Sequence, residues 1–321
     1  MLSHIFKMSS KIIFCLLFIV SAFGGLFSFA PDAKAILATS SVTVTNSLPV
    51  ASSTSIDAGA VSVTLTESAT STVTATFTVT DNNGCEDIDS GTPDTVAVFY
   101  RTNVAGGAAC TPDAANCYSM SCTGPTACTP GGSDLTATFS CTASVQFYAD
   151  PTDAGSAYDA TTWTATATPR DSAGTDGTPN ADTIEMDSLT ALDVTSTISY
   201  SALALGADTA TEDQPTTVTN TGNRTIDTQV GGYGSVSEDT YSMVCTIGNI
   251  AVALEKYSLA AATAYASKTA FVTNATPDTV KTSLAQGADS TDIIYWGMGL
   301  PATGVGGSCA GKVVFTATND S

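Results

Sequence analysis

The sequence predicts an all-β protein: two tandem β-sandwich domains behind an N-terminal export signal. Three observations carry this. Apolar and polar residues alternate with a period of two along most of the chain. Clusters of Asp, Asn, Gly and Pro interrupt the alternation at short intervals. The first 35 of the 321 residues have the build of a signal peptide rather than of a folded element.

The leader comes first. Lys7 and Lys11 give a positive start, Ile12 to Ala30 is an apolar run, and Ala33-Lys34-Ala35 is a cleavage site of the A-x-A kind. Removing 35 residues from 321 leaves 286, enough for two cores. The leader takes three of the ten basic residues, one of the thirty acidic ones and the single histidine, His4. Seven basic and 29 acidic residues remain, a net charge near −22. A chain without histidine excludes Ser-His-Asp and Cys-His nucleophiles and histidine-ligated zinc. Such acidity, with dispersed cations, argues against nucleic acid and anionic lipid as partners. After the leader, no segment is apolar enough for long enough to span a membrane.

Residues 36–46 read as a strand, with Val42 and Val44 on one face. The pattern Val42-Thr43-Val44-Thr45-Asn46-Ser47-Leu48 returns as Thr183-Ile184-Glu185-Met186-Asp187-Ser188-Leu189. Both read as the last strand of one sandwich feeding the next, yet no domain precedes the first copy. This strand either folds back as an edge of the first sandwich or completes the sheet of a neighbouring subunit.

The first sandwich is expected over 47–188. Thr72 to Thr80 shows the alternation most cleanly, with Val73, Ala75, Phe77 and Val79 on one side and threonines on the other. Further strands are expected at Val61–Thr66, Thr95–Arg101, Leu135–Thr142, Ser144–Ala149, Thr162–Thr168 and Thr183–Met186. The second sandwich is expected over 189–321. Its strands are Val194–Tyr200, Thr216–Asn220, Ile226–Val230, Ser242–Thr246, Val280–Leu284, Ile293–Met298 and Val313–Thr318. Asn220-Thr221-Gly222-Asn223 is a hairpin turn. The Ala-rich stretch 251–270 reads as strand and loop, because Thr and Tyr interrupt it and no helix cap is present. Trp163 and Trp296 could stack on sugars, but a lone Trp on an alternating strand reads as core, and Trp163 lies in phase with Ala165 and Ala167.

Eight cysteines follow the leader: Cys85, Cys110, Cys117, Cys122, Cys128, Cys141, Cys245 and Cys309. An even number in an exported chain reads as four disulfides. Pairing within domains joins Cys245 to Cys309. Among the other six, Cys110–Cys117 is favoured as a short closed loop. Cys110, Cys117, Cys122 and Cys128 lack the paired C-x-x-C spacing of a thiolate zinc site.

The acidic turns are the candidate chemistry. Asp81, Asn83, Glu86 and Asp87 crowd one loop, Asp150 and Asp153 another, and Asp171 ends a strand. If these loops share one end of the sandwich, their oxygens could hold Ca²⁺, without an EF-hand spacing. Asp89-Ser90-Gly91 matches half of an aspartic-protease motif with no second copy. Leu300-Pro301-Ala302-Thr303-Gly304 fits a sortase signal but lacks the apolar stretch and basic tail. The sequons at Asn223, Asn274 and Asn319 are short matches in a Thr-rich chain.

Thr78-Val79-Thr80-Asp81-Asn82-Asn83-Gly84, Thr217-Val218-Thr219-Asn220-Thr221-Gly222-Asn223 and the Val-Thr-Val-Thr-Asn of residues 42–46 give the chain a family likeness. Together with Ile294-Tyr295-Trp296-Gly297 and Gly311-Lys312-Val313-Val314-Phe315-Thr316, they resemble exported bacterial surface proteins built from tandem immunoglobulin-like or cadherin-like domains. The cysteine-rich insertion 110–128 departs from that pattern. The resemblance implies a secreted or cell-surface β protein and carries over no catalytic residue. The expected function is non-enzymatic: a structural subunit that self-associates through its N-terminal strand into a filament or surface layer. One alternative is a monomeric adhesin binding an extracellular protein or glycan through 106–132. The other is a secreted carbohydrate-active enzyme with two facing carboxylates.

Overall fold

The computed structural model describes residues 38–88, 95–129, 133–195 and 197–320. The leader, the Asp89-Ser90-Gly91 motif and the Pro130-Gly131-Gly132 turn lie outside the described residues. The described residues from Asn46 onward form one compact unit, and residues 38–45 belong to another.

Alternation fixes the first sandwich. Its strands are β1 (Val50–Ile56), β2 (Ser62–Val63), β3 (Thr70–Thr80), β4 (Val96–Arg101), β5 (Cys117–Ser119), β6 (Ser121–Thr126), β7 (Thr136–Gln146), β8 (Trp163–Thr168) and β9 (Asn180–Met186). One sheet runs β1-β3-β7-β6 and the other β2-β9-β8-β4-β5. This is an immunoglobulin-type strand order. Every pair is antiparallel except β2 with β9. β3 and β7 pair without a break from Thr70↔Gln146 to Thr80↔Thr136. Val73, Ala75, Phe77 and Val79 turn inward as expected, and Phe77 stacks on Phe139 at 5.5 Å. Trp163 is fully buried, stacked on Phe99 at 4.8 Å, and its indole N–H donates to Asp150 O at 2.8 Å.

The second sandwich has β10 (Leu192–Val194), β11 (Gln214–Asn220), β12 (Ile226–Tyr233), β13 (Tyr241–Ile247), β14 (Asn249–Ala251), β15 (Glu255–Ser258), β16 (Thr269–Ala270), β17 (Asp278–Leu284), β18 (Thr291–Met298), β19 (Gly306–Ala310) and β20 (Lys312–Asn319). One sheet runs β10-β11-β18-β15-β16, one β17-β12-β20, and a small third β14-β13-β19. Its core is separate from the first and centres on Trp296, ringed by Tyr257, Phe271 and Phe315.

Pairing makes several strands equivalent between the two halves. β10, β11 and β18 repeat β1, β3 and β7 in one sheet. In the facing sheet β12 and β20 repeat β4 and β8. The first half then adds β9 on the outer side of β8. Among the described residues no strand lies on the outer side of β20.

The structure corrects several expected strands. Residues 38–49 form no strand: alternation marks a face and does not by itself make a ladder. Of the expected Val194–Tyr200 only Val194 lies in β10, although Ile198 and Tyr200 still turn inward between exposed Thr197 and Ser199. Leu135–Thr142 and Ser144–Ala149 fuse into β7. β1 was not anticipated: Val50-Ala51-Ser52-Ser53-Thr54-Ser55-Ile56 is interrupted by a bulge with Ser53 at φ 54°. The 251–270 stretch is strand and loop, with two short 3₁₀ turns.

Four disulfides close: Cys85–Cys128, Cys110–Cys117, Cys122–Cys141 and Cys245–Cys309. Cys122 faces Cys141 across β6 and β7, and Cys245 faces Cys309 across β13 and β19. Such a set points to maturation in an oxidising compartment. Among the described residues no helix is long and apolar enough to cross a membrane.

Candidate functional site

The predicted acidic residues divide between opposite ends of the first sandwich. Asp81 follows β3 at the end where Thr80 meets Thr136, and Asp150 follows the other end of β7. Asp81, Asn83, Asp87 and Asp171 gather at one end, with exposed Glu86 between Cys85 and Asp87 on the same loop. Asp150 and Asp153 do not join them.

At the Asp81 end, Asp171 is wholly buried. Its Oδ1 accepts from Ala173 N at 3.0 Å and Thr175 N at 2.7 Å, and its Oδ2 accepts from Asn46 Nδ2 at 2.7 Å. Asp87 accepts from the Ser172 hydroxyl. Asn83 Oδ1 accepts from Ser47 N at 2.5 Å. Asp81 is sealed from solvent though close to the surface. Its Oδ1 accepts from Asn83 N at 2.7 Å, while its buried Oδ2 has no hydrogen-bond partner. Burial first, and then the charges of Asp87 and Asp171, push its carboxyl above the ordinary 3.8. Among the described residues no three acidic, His or Cys side chains are placed to hold a metal ion.

The second sandwich repeats this turn with an amide. Asn220 occupies the place of Asp81 after the same Thr-Val-Thr, and its Oδ1 accepts from Gly222 N at 3.0 Å. Its Nδ2 donates to Arg224 O at 2.7 Å and to Leu284 O and Ala285 O at 3.0 Å. An amide at position 81 would remove a buried charge that stands beside Asp87 and Asp171. Asp81→Asn is therefore expected to stabilise the protein by about 1 kcal/mol near neutral pH. The raised pKa means native Asp81 contributes stability in acid that is lost as pH rises through that value. The advantage of Asp81→Asn should thus vanish in acid and be complete at neutral pH. Thermal melts at pH 4 and pH 8 check this. The same melts with calcium and with a chelator decide whether a cation takes the donor's place.

The Asp150 end is the junction between the two sandwiches. Arg101 Nε donates to Asp150 Oδ2 at 2.8 Å, and Gln286 of the second sandwich donates to Oδ1 at 2.9 Å. Burial raises the Asp150 carboxyl, and Arg101 opposes the shift. Asp153 accepts from the Ser188 hydroxyl at 2.5 Å. Asn223 is fully buried here: its Nδ2 donates to Ala149 O at 3.0 Å and Asp187 O at 2.9 Å, and its Oδ1 accepts from Leu189 N at 2.6 Å. That burial removes Asn223 as a glycan acceptor. Thr221 donates to Glu67 at 2.7 Å, and Arg224 to Gly155 O at 2.9 Å. Gly222 has no alternative, since a Cβ there would lie 2.1 Å from Leu189 O. Leu189, the first residue of the expected second domain, packs against the first core. The sequence marks Asn220–Asn223 as a turn; its role as a clasp on the preceding sandwich has no local signature.

The third place of interest is the open edge of the second sandwich. Val42 and Val44 are 87% and 74% exposed. On β20, the inward-facing Val313, Phe315 and Ala317 are only half-buried, although they pack against the second core. Their counterparts on β8, Trp163, Ala165 and Ala167, are at most 2% exposed. Comparison with protein-family models and with curated proteins gives no match to the chain.

Proposed function

We propose that the chain is an exported, non-catalytic structural subunit of the cell surface or extracellular matrix, and that its copies self-associate in a regular array. The half-covered inner side of β20 carries this reading. A sheet edge with core residues beneath it is a template for another chain.

Two further features support it over the alternatives. Three of the four buried acids among the described residues have structural partners on their side chains: Asp150 holds Arg101 and Gln286, Asp171 caps backbone N–H groups, and Glu255 accepts from the Tyr200 hydroxyl at 2.7 Å; Asp81 keeps one oxygen unpartnered. An adhesin would vary 106–132, yet that stretch supplies β5 and β6, and two of its four half-cystines bond outside it, Cys122 to Cys141 and Cys128 to Cys85. Export through removal of residues 1–35 belongs to the same proposal.

The chain from Ile36, purified at micromolar concentration, is expected to form regular linear assemblies in negative stain and to elute as a broad high-mass species. A stable monomer without assemblies would overturn the proposal.

A further inference from the structure

We infer that the strand absent beside β20 is supplied by residues 38–45 of a second copy of this chain. The inference rests on the structural-subunit reading and names its partner and its site.

The two sandwiches show what is needed. In the first, β8 lies between β4 and β9, and β9 turns Ile184 and Met186 into the core, with Ile184 opposite Trp163. β2 then runs parallel to β9. In the second, β20 has β12 on one side only. Residues 197–200, which follow β10 as β2 follows β1, turn Ile198 and Tyr200 inward but belong to no strand. The place that β9 fills in the first sandwich is bordered in the second by Val194, Ile198, Val313, Phe315 and Ala317, all half-covered.

The chain carries one described segment with the build of that strand. Ala38-Thr39-Ser40-Ser41-Val42-Thr43-Val44-Thr45 places Ala38, Val42 and Val44 in one phase, interrupted by Ser40, with Thr39, Ser41, Thr43 and Thr45 in the other, and it is exposed. It runs into Asn46-Ser47-Leu48 as β9 runs into Asp187-Ser188-Leu189. The exits are held alike: Ser47 N donates to Asn83 Oδ1 on the turn after β3, and Leu189 N to Asn223 Oδ1 on the turn after β11. Counted from the shared Ser-Leu, Val42 and Val44 stand one residue out of phase with Ile184 and Met186. The segment already carries that one extra residue between Val44 and the turn, where β9 has only Asp187 between Met186 and Ser188.

The segment cannot serve its own β20. Asn46 is tied to Asp171 at the far end of the first sandwich, whereas the second sandwich joins at the Asp150 end. The two ends are separated by β7, whose 11 residues rise about 35 Å. Eight extended residues reach at most about 28 Å. Pairing must be between copies, antiparallel to β20 as β9 is to β8, with Val42 and Val44 turned towards Phe315. Repetition makes a head-to-tail chain.

The test compares the chain from Ile36 with its Val42→Asp/Val44→Asp variant and with a chain beginning at Asn46. Both changes lie in exposed residues outside the compact unit, and circular dichroism confirms that each protein is folded. The wild-type chain is expected to assemble and the two variants to be monomers. A synthetic peptide of residues 36–46 should bind the shortened chain, raise its Tm by several degrees and slow hydrogen exchange at Val313–Thr318. The peptide with Asp at 42 and 44 should do neither. Assembly of the variants like wild type, or exchange protection at another strand, overturns this inference while the structural-subunit reading stands. Failure of the wild-type chain to assemble overturns the structural-subunit reading, and failure of the peptide to bind the shortened chain overturns this inference.

Discussion

Asn223→Ala is expected to destabilise the protein by about 3 kcal/mol and to split its unfolding into two transitions. The estimate follows from what the amide holds. Alanine leaves Ala149 O, Asp187 O and Leu189 N without their buried partner, and a buried polar group left unsatisfied costs about 1–3 kcal/mol. The three groups lie on the first sandwich and on the segment leading out of it, so the loss falls on the coupling of the two cores. Asn223→Asp should be no milder: it keeps an acceptor for Leu189 N but sets an anion against two carbonyls. Scanning calorimetry reads the result. Wild type should unfold in one transition, Asn223→Ala in two, with the first sandwich less affected because its disulfides and its own core remain. A single unshifted transition in the variant would sink the idea that this residue clasps the sandwiches together.

The second large effect is a stability that declines from acid towards neutral pH. Glu255 opens β15 opposite Met298 in β18 and is 1% exposed. Burial pushes its carboxyl from 4.5 up to about 7, and the hydrogen bond from Tyr200 only partly opposes this. Burial and the neighbouring Glu255 raise the Tyr200 hydroxyl well above its ordinary range, so it stays a donor. With a raised folded pKa, the native state holds a proton that the unfolded chain releases. The associated stability is complete below pH 4.5 and is lost as pH rises through 7. A rise of that size corresponds to about 3 kcal/mol. Glu255→Gln keeps an acceptor for Tyr200 and does not titrate, so its unfolding free energy should be flatter between pH 5 and 8. The flattening is partial, because Asp81 and Asp150 are shifted the same way. Asp239 acts oppositely: the N–H groups of Gly234 and Ser235 lead in holding it down at about 2, so its contribution is lost only in strong acid. Urea titrations at pH 5 and pH 8 measure the slope, and an equal slope in wild type and Glu255→Gln would contradict it.

The sequence made the cores legible and the edges obscure. Val73 to Val79 announces its inward face because a half-buried strand repeats every second residue. Cys110–Cys117 and Cys245–Cys309 follow from closeness and from pairing within a domain. β1 stays hidden because its bulge breaks the period. The acidic residues were visible as turns, but whether Asp150 shares an end with Asp81 depends on the direction of β7, which alternation does not encode. Lys312-Val313-Val314-Phe315-Thr316 reads like any buried strand. Only the pairing shows that it is flanked on one side, and that asymmetry is the basis for the proposed assembly. Asn223 had the opposite difficulty: its turn was plain, and its partners lie 34 or more positions away in sequence.

The placement of the disulfides bears on how such a subunit would behave under tension. Load entering at Asn46 and leaving at β20 would run through both sandwiches in series. Each disulfide closes within one sandwich and none spans the clasp at Asn223. The Cys245–Cys309 bond spans 64 positions, so roughly 200 Å of extended chain stays locked even if that sandwich is pulled open. A stretched subunit would yield first at the clasp, by a short and recoverable parting of two intact halves, and its covalent loops would cap how far either half could pay out.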